Sequence, residues 1–124
     1  QVITKQIDLT YLYQRTKSNP TLMLEMIQAY LEQTPPLIYS MKQSLVDKDW
    51  NTLHASVHKM IPSFSIMGMN KQFEIMAKQV QEFASNMEHN ESIHELVMKL
   101  EEACTKACME LQDEIINIKN TKSE

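Results

Sequence analysis

The sequence predicts an all-α fold, an up-and-down antiparallel four-helix bundle with an additional short N-terminal helix. Three observations predict it. The 124-residue chain is 43% hydrophobic yet holds one glycine and four prolines, too few turn residues for a strand-rich fold. Apolar residues recur at three- and four-residue spacing through almost the whole length. The links between these periodic runs are short, which makes successive helices antiparallel neighbours. A chain of this length is one domain, residues 1–124, with a core over about 8–116 and a polar tail over 117–124.

Asp8 is placed to cap a first helix that runs to about Thr16. In "SNPTLMLEMIQAYLEQ", Asn19 is the N-cap of a second helix and Pro20 its first residue, where a missing N–H costs nothing. Met23, Ile27, Tyr30, Leu37, Met41 and Leu45 keep helical spacing across Pro35 and Pro36. Either one helix runs through the prolines with a kink, or Thr34 caps a further helix on the same line; the unbroken apolar face favours the former.

A third helix, about Lys48 to Met67, carries Trp50, Leu53, Val57, Met60, Phe64 and Met67 at intervals of 3, 4, 3, 4 and 3. Gly68 stands where that helix should stop, as a C-terminal cap of positive φ. A fourth, about Asn70 to Met87, offers Phe73, Met76, Ala77, Val80, Ala84 and Met87 to the core. A fifth, about Glu91 to Ile118, offers Ile93, Leu96, Val97, Leu100, Cys104, Ala107, Leu111 and Ile115. The ten methionines serve as adaptable core filler.

Several function classes are disfavoured. A net charge of −4 with scattered Lys and Arg argues against a nucleic-acid partner. No apolar run approaches the roughly 20 residues of a membrane span, and Gln1 to Lys5 lead into polar sequence without a signal-peptide pattern. Cys104 and Cys108, four apart among alanines, suit neither a zinc knuckle nor a disulfide framework, and fit small core residues in a reducing cytoplasm. With a single glycine, the chain has no phosphate-binding loop for ATP.

The third helix holds the most informative stretch, "HASVHKMIPSFSIMGM", residues 54–69. At roughly 100° per residue, His58 points more than ~120° from the core seam. An outward helix face is ordinarily Lys and Glu. Here His58 shares its face with His54, Ala55, Ile61, Pro62 and Ser65, while Thr52, Ser56, Lys59 and Ser63 fall elsewhere. Pro62 cannot donate to the His58 carbonyl, and a proline inside a helix costs about 3 kcal/mol, so it has a packing or functional use. An exposed imidazole among small and apolar neighbours is a surface that a second protein can approach closely.

Together, "WNTLHASVHKMIPSFSIMGM" resembles the signature helix of histidine-containing phosphotransfer (HPt) domains of bacterial two-component phosphorelays. Asp49 matches the helix start, His58 the phosphoryl-accepting histidine, Met60 a leucine, Ser63 a serine and Gly68 the terminal glycine of that pattern. Upstream, "LMLEMIQAYLEQTPPLIYSMKQSLVDKDW" resembles the preceding helix of the family, and the likeness covers about residues 8–115. Two positions depart: Ile61 stands where the family has Lys, and Pro62 where it has Gly. The resemblance implies that this Lys helps to hold phosphate oxygens, so Ile61 removes a local charge. It also implies a Gln or Glu from the next helix beside the ring, for which Gln81 matches best and Gln79 is the rival.

The resemblance further implies a phosphocarrier without ATP-dependent kinase activity, phosphorylated by an aspartate of a response-regulator receiver domain and returning the group to another. Mg²⁺ is then expected on the partner receiver, with no cofactor or metal bound by this domain. The setting is a cytoplasmic monomer, either free-standing or a module of a hybrid sensor histidine kinase. Two other readings compete. One is a receiver-docking bundle without phosphotransfer, for which Ile61 argues. The other is a metal site on His54 and His58, one turn apart, which lacks acidic companions on that face. His89 and His94 flank the polar loop "EHNESIHE" and read as solvated surface residues.

Overall fold

Helix starts in this chain are set by short polar side chains that accept otherwise unpaired amide protons. Asn19 Oδ1 accepts from the Leu22 amide at 3.2 Å, Asp49 Oδ1 from Thr52 at 3.2 Å, Asn70 Oδ1 from Gln72 at 2.8 Å and Asn90 Oδ1 from Ile93 at 3.1 Å. The computed structural model describes the backbone of residues 5–123 and the side chains of residues 5–120. Among these residues every regular element is a helix: α1 (Thr10–Thr16), α2 (Pro20–Val46), α3 (Trp50–Ile66), α4 (Lys71–Ser85) and α5 (Glu91–Ser123). The chain is all-α. Helix α2 passes through Pro35 and Pro36 as one element, and α3 likewise through Pro62.

Asp8 lies one residue outside the position expected of a cap. Leu9 is the N-cap of α1, and the Asp8 carboxylate instead accepts from the Thr10 amide at 3.0 Å and the Thr10 hydroxyl at 2.6 Å. Those two hydrogen bonds hold the Asp8 carboxyl below its ordinary pKa.

The first four helices end in one shared geometry. Each closes with two backbone hydrogen bonds around a residue of positive φ: Lys17 (φ 52), Lys48 (φ 54), Gly68 (φ 65) and Met87 (φ 54). Gly68 donates to Ser65 and Met69 to Phe64, at 3.1 and 2.8 Å. At Gly68 a side chain is also sterically barred, because the Asp8 carbonyl occupies the place where a Cβ would stand. The segment before α1 is laced down here. The Asp8 amide donates to the Met67 carbonyl at 3.0 Å, and the Gln6 and Ile7 amides donate to the Glu110 carboxylate at 3.0 and 3.1 Å.

Helix α2 packs on α3 and α5, α4 packs on α3 and α5, and α1 rests on α2. Leu53, Val57, Met60, Phe64 and Met67 of the α3 seam are buried, facing Ile27 and Met41 of α2, Val80 of α4 and Leu100 and Leu111 of α5 in one cluster. Each side chain of this size contributes roughly 1.5–3 kcal/mol by leaving water. Polar groups inside are paired: the Ser40 and Ser56 hydroxyls share a hydrogen bond of 2.7 Å between α2 and α3. No buried side-chain polar atom among the described residues lacks a partner. Among the described residues no helix is long and apolar enough to cross a membrane.

Three expectations are corrected. Met87 is 70% exposed, because α4 stops at Ser85 and the left-handed turn swings Met87 outward. The stretch from 117 onward continues α5 to Ser123 rather than trailing as a polar tail, and Ile118, two turns after Leu111, is buried. Ile7 also joins the core, ahead of the expected boundary at residue 8. Of the two cysteines, both free thiols, Cys104 is buried and Cys108 only half-buried.

Candidate functional site: a histidine face on α3 and α4

Asp49 starts α3 firmly, its second carboxylate oxygen accepting from the Thr52 hydroxyl at 2.7 Å. The 3-4 seam then turns the opposite flank of the helix outward. On that flank His58, Ala55, Pro62 and Ser65 are exposed, while His54 and Ile61 are half-buried. Ile61 packs against the edge of the core.

His58 is held from the neighbouring helix. Gln81 Nε2 lies 3.1 Å from His58 Nδ1. Gln79, the rival, is exposed and lines a cavity between α4 and α5, away from the ring. A primary amide can serve either neutral tautomer of the imidazole: its N–H donates to a bare Nδ1, and, turned over, its oxygen accepts from Nδ1–H. In both cases the contact occupies Nδ1 and leaves Nε2 as the ring atom available to an incoming group.

The His58–Gln81 pair also defines how α3 and α4 are aligned. The two helices run in opposite directions, so three residues forward on one corresponds to three residues back on the other. The alignment sets Ser85 opposite His54, and both do line one hollow, with Trp50 and Ala84. By the same alignment Lys78 stands opposite Ile61 and Glu74 opposite Ser65. Lys78 and Glu74 form an exposed i,i+4 ion pair of 3.1 Å. Neither residue stands out in the sequence, since their relation to His58 depends on register between two helices. Given a partner for His58 on α4, that register follows by counting.

The rings of His54 and His58 are nearly parallel, 13° apart, with centroids separated by 6.3 Å. Among the described residues no group of three or more His, Cys, Asp or Glu side chains converges as a metal site. His89 and His94 are exposed, and their Nε2 atoms lie 3.0 Å apart at the start of α5. Partial desolvation, then the positive charges of Lys48 and His94, hold the His89 imidazole below its ordinary pKa. The Trp50 ring stands 6.1 Å from His89.

An apolar groove of about 470 Å³ between α2 and α5, lined by Pro35, Ile38, Tyr39, Val46 and Cys108 among others, shares no helix with His58. Burial pushes the Cys104 thiol up to about 12 and raises Cys108 and the Tyr30 phenol as well. These groups stay protonated at neutral pH and are poor nucleophiles. Among the exposed imidazoles, His58 is the one whose ring nitrogen is engaged by a glutamine of the neighbouring helix. Comparison of the chain with family models, with curated proteins and with solved structures finds no match.

Proposed function

We propose that this chain is a phosphocarrier of the histidine-containing phosphotransfer type, with α2 to α5 as an up-and-down antiparallel four-helix bundle that presents His58 to receiver domains. The observation that carries the reading is an exposed imidazole whose Nδ1 is engaged at 3.1 Å by Gln81, on a flank otherwise made of small and apolar residues. A neutral imidazole is a competent nucleophile near pH 7 without a separate base. Phosphoryl transfer asks mainly for positioning and charge neutralisation.

The step balances within the two proteins. With Gln81 Oε1 accepting from Nδ1–H, the lone pair resides on Nε2. That pair attacks phosphorus of an aspartyl phosphate on the partner, the N–P bond forms, and the P–O bond to the aspartate breaks. The carboxylate leaves with the electron pair, and the imidazole keeps its Nδ1 proton, stabilised by Gln81. Reversal onto a second receiver aspartate completes the relay. Mg²⁺ belongs to the partner in this scheme, and ATP takes no part. Ala55, Pro62 and Ser65 are short enough to let a receiver close over the ring, and His54 and Ile61 complete the rim of the docking face.

The half-buried Ile61 favours a second reading, a receiver-docking bundle that no longer carries phosphate, because it leaves the turn after His58 without a cation. One experiment separates the two. The chain is incubated with a panel of phosphorylated receiver domains and followed for acid-labile, base-stable label. The relay reading expects label that His58→Gln abolishes and His54→Gln retains, with far-UV circular dichroism unchanged in both. Receiver binding without label identifies the docking reading.

A further inference from the structure

A phosphoryl group on His58 Nε2 would place two negative charges over a flank of α3 that has no cation of its own. The neighbours there are His54, Ala55, Ile61, Pro62 and Ser65. Lys59 follows His58 directly, and a helix turns successive residues about 100° apart, away from that flank. Within this chain, the helix packed beside that flank and able to add a charge to it is α4.

The alignment of the two helices supplies one. His58 and Gln81 meet at 3.1 Å, and both helices rise about 1.5 Å per residue in opposite directions. Three residues on from His58 is Ile61; three residues back from Gln81 is Lys78. The shared hollow of His54 and Ser85 fixes the same register one turn further along. Lys78 and Gln81, spaced i,i+3, are neighbours on one side of α4. We propose that Lys78 is the cation that holds the phosphoryl oxygens on His58, supplied across the helix pair opposite Ile61. The inference rests on the phosphocarrier reading and identifies a residue of its site.

Lys78 is free to move to that position. Its side chain is 62% exposed and its ion pair is with Glu74, one turn back on the same helix, at 3.1 Å. An exposed pair of this kind is weak. A phosphoryl dianion with three acceptor oxygens competes well against one carboxylate. In the unphosphorylated chain Glu74 keeps the ammonium beside the site, and on phosphorylation the long, flexible Lys78 stem turns from the carboxylate to the phosphoryl oxygens by rotation about its side-chain bonds, without any backbone change.

The test uses ammonium phosphoramidate, a small anionic phosphoryl donor that needs no partner protein. His58 Nε2 attacks its phosphorus, the P–N bond of the donor breaks, and ammonia leaves. Initial labelling rates are compared for the wild-type chain, Lys78→Gln, Lys78→Arg and the double variant Lys78→Gln with Ile61→Lys. Lys78→Gln should label about threefold to tenfold more slowly, as expected for loss of one charge-assisted contact, with circular dichroism unchanged. Lys78→Arg should keep the rate, and Ile61→Lys should restore it from the facing helix. A Lys78→Gln rate equal to wild type overturns the inference, as does a loss that neither cation restores. A wild-type chain that takes no label on His58 instead overturns the phosphocarrier reading, and this inference with it.

Discussion

Gln81 on α4 reaches across to His58 on α3, with its amide nitrogen 3.1 Å from the ring Nδ1. The contact joins two helices, so it orients the imidazole without depending on the α3 backbone around Pro62. Gln81→Leu keeps the side chain's bulk and removes the hydrogen bond, worth about 0.5–1.5 kcal/mol. Labelling of His58 should slow by about threefold to tenfold, while Gln79→Leu should label at the wild-type rate. Equal rates for Gln81→Leu and wild type would show that the ring needs no such support.

The turn at Gly68 should tolerate no side chain. Its φ of 65 is unfavourable for other residues, and the Asp8 carbonyl fills the space a Cβ would take. Gly68→Ala should therefore cost about 2–4 kcal/mol, combining backbone strain with displacement of the segment before α1. Urea denaturation measures it, and a loss below about 1 kcal/mol would mean that the segment yields easily.

Glu110 should matter through the same segment. Its carboxylate accepts the Gln6 and Ile7 amides at 3.0 and 3.1 Å. Glu110→Gln keeps one acceptor oxygen and should cost less than Glu110→Ala, which strands both amides and should lose about 1–3 kcal/mol. Amide hydrogen exchange at Gln6 and Ile7 should quicken in step with the loss, and unchanged exchange would contradict the assignment.

Stability should decline in alkali. The Cys104 thiol has a folded value of about 12, against an ordinary value of 9.0, because burial disfavours the thiolate. Between those values the unfolded chain has released the proton and the native chain has kept it. Stability is thus fully present below about pH 9 and is lost as pH rises toward 12, by at most about 1.4 kcal/mol per pH unit for this thiol. Tyr30, also raised by burial, adds to the fall above its ordinary value of 10.0. Urea melts from pH 8 to 10.5 should show the decline, and Cys104→Ala should have a shallower slope despite its lower starting stability.

Much of this architecture was legible in the chain because it is written in local spacing. The α3 seam, the Asn19, Asp49 and Asn70 starts and the outward face of His58 all follow from residues within a turn or two of one another. The features that were missed depend on relations between distant elements. The alignment of Lys78 with Ile61 depends on the register between α3 and α4. Ile118 is buried because α5 carries its apolar stripe on past the point where the sequence turns polar. Met87 was misplaced for another reason: its left-handed turn carries no glycine to announce it.

That absence has a consequence for the whole chain. Lys17, Lys48 and Met87 end three helices in a conformation that side-chain-bearing residues resist, so the native fold holds unused thermodynamic headroom at three surface turns. Glycine at each would relieve about 1 kcal/mol of backbone strain, less what a freer unfolded chain takes back. A triple-glycine variant would then melt at a higher temperature with its histidine face untouched. The stability of this protein is thus open to adjustment at its helix ends, far from any residue with chemistry to perform.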